Sequence, residues 1–317
     1  MTSAGFLWRC SLCALAGMLG VLALLLTGCE EDVTVSLGTD RAYSLYGYMN
    51  PIADTQWIRV YPITGQLHPT SPEPLDAHFT STDVQANEVR VWRDSTLHFP
   101  DSTYEHVFWS PFRAEYDHTY RIEVKRSDGA TSSVEVATPS LVYPVAQRPV
   151  IDYTVRLPVT VDGAVPRLFN IAAEYLLLLG RNPDGTRRFS RCNVSYDDQI
   201  QDKGDHWLVN VNLKRDFQHL ADSLHKRGEY SPEFGMYITL LTFRVDVVNE
   251  EWAPLGGSFD PEKLIQPGTF TNVKNGFGFV GAGYQRRIPL LTHDEFDPLE
   301  QEAERAAGFK PCPCPPG

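Results

Sequence analysis

The chain has 317 residues, enough for two domains, and a formal net charge of −12 at neutral pH. An acidic balance of that size excludes a nucleic-acid surface, which needs clustered Lys and Arg to displace counterions from phosphates. It also means that any membrane attachment gains nothing from anionic headgroups.

In chain order, the first segment is apolar. Arg9 supplies a positive start, and Leu12 to Leu26 form an apolar run broken only by Gly17 and Gly20. A spanning helix needs roughly 20 apolar residues with suitable flanks, and this run is shorter and stops at small residues and acids. The pattern predicts a signal peptide over residues 1–28. Its end, Leu26-Thr27-Gly28-Cys29, resembles the bacterial lipobox: a leucine, two small residues that let a peptidase approach the backbone, then a cysteine. In that class the thiol is alkylated with diacylglycerol, the chain is cut before the cysteine, and the new amino group is acylated. Cys29 is therefore the expected lipidation site, and residues 29–40 the tether. Several acyl chains anchor a protein firmly, because each buried methylene contributes about 0.8 kcal/mol. Glu30, Glu31 and Asp32 resemble the acidic signal that sends Bacteroidetes-type lipoproteins to the outer face of the outer membrane. A solvated tether is the alternative reading of these three acids.

Residues 41–140 read as an immunoglobulin-like β-sandwich. RAYSLYGYM, TQWIRVYPI, NEVRVWRD, HTYRIEVKR and TSSVEVATP are rich in aromatic and β-branched residues and are separated by turn residues. In HTYRIEVKR, Tyr120, Ile122 and Val124 alternate with Arg121, Glu123 and Lys125, the period of a strand with one face on a core and one in water. Ser127-Asp128-Gly129 predicts a hairpin turn. Tyr120, entering its strand after Tyr116-Asp117-His118-Thr119, looks like a tyrosine corner. HVFWSPFRAEY alternates less than its neighbours, which predicts a loop presenting Trp109 and Phe112 as candidate binding residues. Trp92, Phe108 and Tyr116 are expected in the core.

After a connector at Leu141–Pro149, marked by Pro144 and Pro149, residues 141–317 read as a larger β-rich domain with one or two helices. Strands are expected at Ile151–Val161, Leu168–Leu179, Arg187–Tyr196, His206–Leu213 and Met236–Val248. Phe217, Leu220, Ala221 and Leu224 recur at helical spacing, predicting a helix capped by Asp216. A second helical segment is expected near Asp294–Ala307. Asn275-Gly276-Phe277 opens a glycine-rich stretch with two readings: glycines that allow tight turns or close backbone approach in a strand, or a ligand cradle. Asp197, Asp198, Asp202 and Asp205 form an acidic loop whose spacing lacks the regularity of calcium loops, so no metal is expected. With Cys10 and Cys13 lost in the leader and Cys29 lipidated, Cys192, Cys312 and Cys314 remain. An odd remainder cannot be fully paired. Cys312-Pro313-Cys314 lacks the further ligands of a metal site, and a candidate disulfide joins one tail cysteine to Cys192.

The succession of lipobox, YSLYGYM, TQWIRVYPI, HTYRIEVKRSDG, VEVATP and FTNVKNGFGFVGAG resembles a family of Bacteroidetes-type surface lipoproteins known only as a domain of unknown function. The resemblance implies an immunoglobulin-like N-terminal part, a β-rich C-terminal part, and genes beside TonB-dependent receptors. It lends a location and a partner but no catalytic residues. The mature sequence contains no Gly-x-Ser-x-Gly, His-Glu-x-x-His, P-loop or Cys-x-x-Cys motif. The expected function is a non-enzymatic binding or accessory lipoprotein of the outer membrane, without a cofactor, serving a TonB-dependent receptor, its ligand unidentified. The alternatives are a secreted glycan hydrolase, which needs two carboxyl groups across a cleft, and an adhesion or envelope-scaffold module.

Overall fold

The computed structural model describes residues 41–63, 71–182, 184–233, 235–252, 271–292 and 298–310. Every described residue belongs to one compact unit within Gly38–Gly317. The expected signal peptide, Cys29, Glu30, Glu31, Asp32, Cys312 and Cys314 lie outside the described residues. No helix among the described residues is long and apolar enough to cross a membrane.

The fold is mainly β. The N-terminal strands are β1 (Tyr43–Met49), β2 (Gln56–Pro62), β3 (His78–Asp83), β4 (Glu88–Val91), β5 (Arg93–His98), β6 (Tyr104–Ser110), β7 (Thr119–Lys125) and β8 (Thr131–Ala137). They run β1-β2-β6-β5 in one sheet and β4-β3-β7-β8 in the other. This is the A-B-E-D and C′-C-F-G arrangement of immunoglobulin-type sandwiches. Leu45, Ile58, Val60 and Phe108 from the first sheet meet Phe79, Ile122, Val124 and Val134 from the second in one core. Burial follows the alternation: in β7, Tyr120, Ile122 and Val124 are buried while Arg121, Glu123 and Lys125 are exposed. The tyrosine corner is formed, with the Glu115 backbone N–H donating to the Tyr120 hydroxyl at 2.9 Å.

One expectation is corrected here. HVFWS belongs to β6, paired on both sides between β2 and β5, and is not a loop. Its weak alternation has a physical cause. Phe108 points into the core, while Val107 and Trp109 face the other way, Trp109 against the Trp57 ring, so apolar residues fall on both faces.

The remaining strands are β9 (Val145–Ala146), β10 (Arg156–Asp162), β11 (Arg167–Arg181), β12 (Arg187–Ser195), β13 (Ile200–Asp202), β14 (His206–Asn212), β15 (Tyr237–Val248) and β16 (Gly276–Thr292). The two helices among the described residues are α1 (Leu213–Lys226) and α2 (Pro298–Ala307). α1 begins earlier than expected. Its cap is Asn212, whose side chain accepts from the Arg215 N–H at 3.0 Å, so Asp216 lies inside the first turn. Proline opens α2, where its missing N–H costs nothing.

β16 joins the two halves. Gly276–Ala282 pairs parallel to β1, and Gly283–Thr292 pairs antiparallel to β15. The result is one 8-stranded sheet, β12-β11-β15-β16-β1-β2-β6-β5. At the change of partner, the Asn249 side chain accepts from the Ala282 N–H, and the Asn249 N–H donates to the Ala282 carbonyl. A 4-stranded sheet, β13-β14-β10-β9, contributes Val159, Val209 and Val211 to a second core with Tyr175, Leu177, Phe243 and Val245 of the long sheet. Residue 140 thus falls between two hydrophobic cores, but the strand shared by the long sheet crosses that division.

Candidate functional site

The side of the 8-stranded sheet away from the N-terminal core carries the most distinctive surface among the described residues. QWIRVYP in β2 buries Ile58 and Val60 and turns Trp57, Arg59 and Tyr61 the other way. Cross-strand register then sets a row. Arg93 of β5 is opposite Trp109 of β6, Trp109 is opposite Trp57 of β2, Trp57 is opposite Tyr48 of β1, and Tyr48 is opposite Gly281 of β16. Directly opposite residues share a face, so these side chains lie together.

The row is ordered by its own contacts. The Trp57 and Trp109 rings are near-parallel, 26° apart with centroids at 5.7 Å. The Arg93 guanidinium lies 5.2 Å from the Trp109 ring centre, and the Trp109 indole N–H donates to Ser95 Oγ at 3.0 Å. Tyr48 meets the edge of Trp252, and Trp252 meets Phe279, both in T-shaped contacts. Trp57 is 51% exposed and Tyr48 42%. Rings of this size normally bury 150–250 Å² each, so Trp57 and Tyr48, left open by about half, present contact area without needing rearrangement. Beyond the row, Tyr46, Tyr61, Val248, Trp252 and Phe279 form a small buried cluster on the same side.

Of the residues expected from sequence, Trp109 belongs to this row and Phe112 does not. Phe112 turns to the rim of the sandwich core, under the Arg90 guanidinium at 4.4 Å and edge-on to Trp92. Asn275 and Gly276 are engaged with backbone. The Asn275 carbonyl accepts from the Ala42 N–H and from Ser132 Oγ, and a Cβ on Gly276 would stand 2.3 Å from the Tyr43 carbonyl oxygen. Gly278, at φ +95°, has the same close approach to Leu45. The glycine-rich stretch is therefore a strand laid tightly on β1. Phe277 shares the face of the row, four residue pairs away along β1, with the Arg41 guanidinium 4.3 Å above its ring. Trp57 and Tyr48 were missed from sequence. The available signal was a tryptophan on the arginine-bearing side of an alternating strand.

The carboxylates serve structure. Asp197 accepts from the Ile171 N–H and Ser195 Oγ, Asp202 from the Gly204 N–H, and Asp205 contacts the His206 ring. Among the described residues no group of three or more His, Cys, Asp and Glu is placed to hold a metal. On β11 and β15, Glu174 pairs with Arg244 at 3.2 Å and Arg287 at 3.1 Å, while Asp246 accepts from the Asn170 and Gln285 amides. Each carboxylate is held by two donors in a network that ties β11, β15 and β16. Asp216 is fully buried; the hydroxyls of Tyr175 and Tyr196 both donate to Oδ2 at 2.7 Å, and Arg215 binds Oδ1. Burial pushes its carboxyl above the usual range, opposed by the tyrosine and arginine donors. Glu304 in α2 is buried as well, and desolvation raises it to about 7. Cys192 is half-buried on β12, beside Arg227 at 3.6 Å, and forms no disulfide among the described residues.

No family model matches the chain, and no curated protein matches it. Among solved structures, parts of the chain are similar to the pullulanase of Anoxybacillus sp. LM18-11. The maltotriose complex aligns at 10% identity and a TM-score of 0.23, covering 66% of this chain and 24% of that one. A second structure of that pullulanase aligns at 10% identity and a TM-score of 0.21, covering 75% and 27%. The chain thus spans about a quarter of the length of the structures it matches, at a likeness too slight to bear on function.

Proposed function

We propose that the protein is an exported, lipid-anchored binding protein of the outer membrane. It works by contact rather than catalysis and presents its ligand to a TonB-dependent receptor. The observation that carries this reading is the row Tyr48, Trp57, Trp109 and Arg93, an exposed and internally ordered aromatic surface on a rigid sheet. The lipobox ending at Cys29 supplies the location, and confinement to one membrane raises the effective concentration of receptor enough for weak contacts to suffice. A glycan hydrolase needs two carboxyl groups facing each other across a cleft. Glu174 and Asp246, the carboxylates that tie the long sheet, are instead each engaged by two donors.

Three measurements test this reading. Cys29→Ala should move the protein from the membrane to the soluble fraction and abolish fatty-acid labelling. Protease added to intact cells should degrade the wild type, and neutralising Glu30, Glu31 and Asp32 should protect it. Cross-linking in intact membranes, followed by detergent extraction, should recover a TonB-dependent receptor. Membrane retention of the Cys29 variant, or turnover of a glycan or peptide abolished by a single Asp or Glu substitution, would refute the reading.

A further inference from the structure

Resting on the binding-protein reading above, we infer that the ligand held by the Tyr48–Trp57–Trp109 row is a neutral oligosaccharide. A sugar ring offers a face of C–H groups and a rim of hydroxyls, so its complement is an aromatic face with hydrogen-bonding groups beside it and no uncompensated charge. The row has the aromatic faces and the hydrogen-bonding groups, and its one cation, Arg93, lies against the Trp109 ring. Trp57 is half exposed, and among the described residues its indole N–H has no acceptor, which leaves it for a hydroxyl. Trp109 is locked by Ser95 and by the Arg93 guanidinium, so little rotamer freedom is lost on binding.

Charge and area both favour this occupant. The neighbouring charged groups are already paired with one another: Arg59 with Glu105 at 3.5 Å, and Arg113 with Asp54. Arg93 lies on Trp109. An anionic polymer would have to compete with Glu105 and Asp54 for two of the three arginines, leaving Arg93 alone to meet its charge. From Tyr48 to Arg93 the row crosses three strand intervals, about 14 Å. That is an elongated strip one side chain wide. The two half-exposed rings, Trp57 and Tyr48, offer roughly 100 Å² each, about 200 Å² together, well below the roughly 800 Å² per partner of a stable protein interface. The strip fits a short linear chain lying across the strands, in contact with more than one ring. Gly281 and Trp252 bound it at the β16 end.

The test uses the full-length protein extracted in mild detergent. Linear neutral oligosaccharides of α- and β-linked glucose, mannose and xylose are titrated while tryptophan fluorescence is followed, with polygalacturonate and dextran sulfate as charged controls. Saturable binding of at least one neutral oligosaccharide is expected, without its hydrolysis. Trp57→Ala should weaken it by about tenfold or more, and Trp57→Phe should restore part of the loss. The far-ultraviolet circular dichroism of both variants should match that of the wild type. Failure of every neutral oligosaccharide to bind, preference for the charged polymers, or undiminished binding by a folded Trp57→Ala variant overturns the inference. If no sugar binds while receptor cross-linking persists, the binding-protein reading stands and only the ligand class falls. If a sugar binds and is cleaved, the binding-protein reading falls with it.

Discussion

Gly281 lies directly opposite Tyr48, and Trp252 occupies the space that a side chain at position 281 would need. An added Cβ would stand 2.6 Å from Trp252 Cε3 and 2.9 Å from Phe279 Cε1. The glycine-rich stretch therefore supports the aromatic row indirectly, by leaving room for the Trp252 indole beside Gly281. Gly281→Val should expel Trp252 and loosen its contact with Tyr48. Overpacking of this kind costs about 1–3 kcal/mol. Urea denaturation should show the loss, and near-ultraviolet circular dichroism should report the changed tryptophan environment.

The tyrosine corner gives a second test. Tyr120→Phe keeps the ring in the core but removes the acceptor of the Glu115 N–H. A part-buried donor left without a partner costs roughly 1–3 kcal/mol. The variant should fold with unchanged secondary structure and a lower denaturation midpoint. An unchanged midpoint would mean that water replaces the hydroxyl.

Asp216 ties the first turn of α1 to β11 and to the residue after β12 through Tyr175 and Tyr196. The Tyr196 hydroxyl also accepts from the Asn212 N–H at the helix cap. Hydrogen bonds to a charged group contribute about 1.5–3 kcal/mol. Tyr196→Phe should therefore cost more than Tyr175→Phe, because it breaks two contacts rather than one. The double variant should cost more than the sum, because in each single variant the other hydroxyl still donates to Asp216 and in the double variant only Arg215 remains. A double-mutant cycle by chemical denaturation measures this directly.

Glu304 predicts a pH dependence with a definite sign. Burial, reinforced by Glu300 and opposed by Arg305, raises its carboxyl from an ordinary 4.5 to about 7. Between those values the folded state holds a proton that the unfolded state releases. Stability from this group is therefore full below about 4.5 and falls as pH rises toward 7. The full shift corresponds to a loss on the order of 3 kcal/mol. Glu304→Gln should remove that component. The difference in denaturation midpoint between variant and wild type should widen from pH 5 to pH 8, and a constant difference would refute the assignment.

Strand identity was legible wherever one face of a strand meets water. HTYRIEVKR and the QWIRV part of β2 alternate because every second residue is solvated, and Tyr120 could be placed at its corner from local spacing alone. The acidic balance was likewise readable, since net charge is a property of the chain before it folds. β6 was not legible, because apolar residues on both faces erase the period of two. Asn212 outcompeted Asp216 as helix cap because Asp216 had two buried tyrosines to satisfy, which no local pattern reveals. The row itself depended on long-range register. Tyr48, Trp57, Trp109 and Arg93 come from four strands, Gly281 comes from a fifth more than 230 residues after Tyr48, and only tertiary pairing sets them side by side.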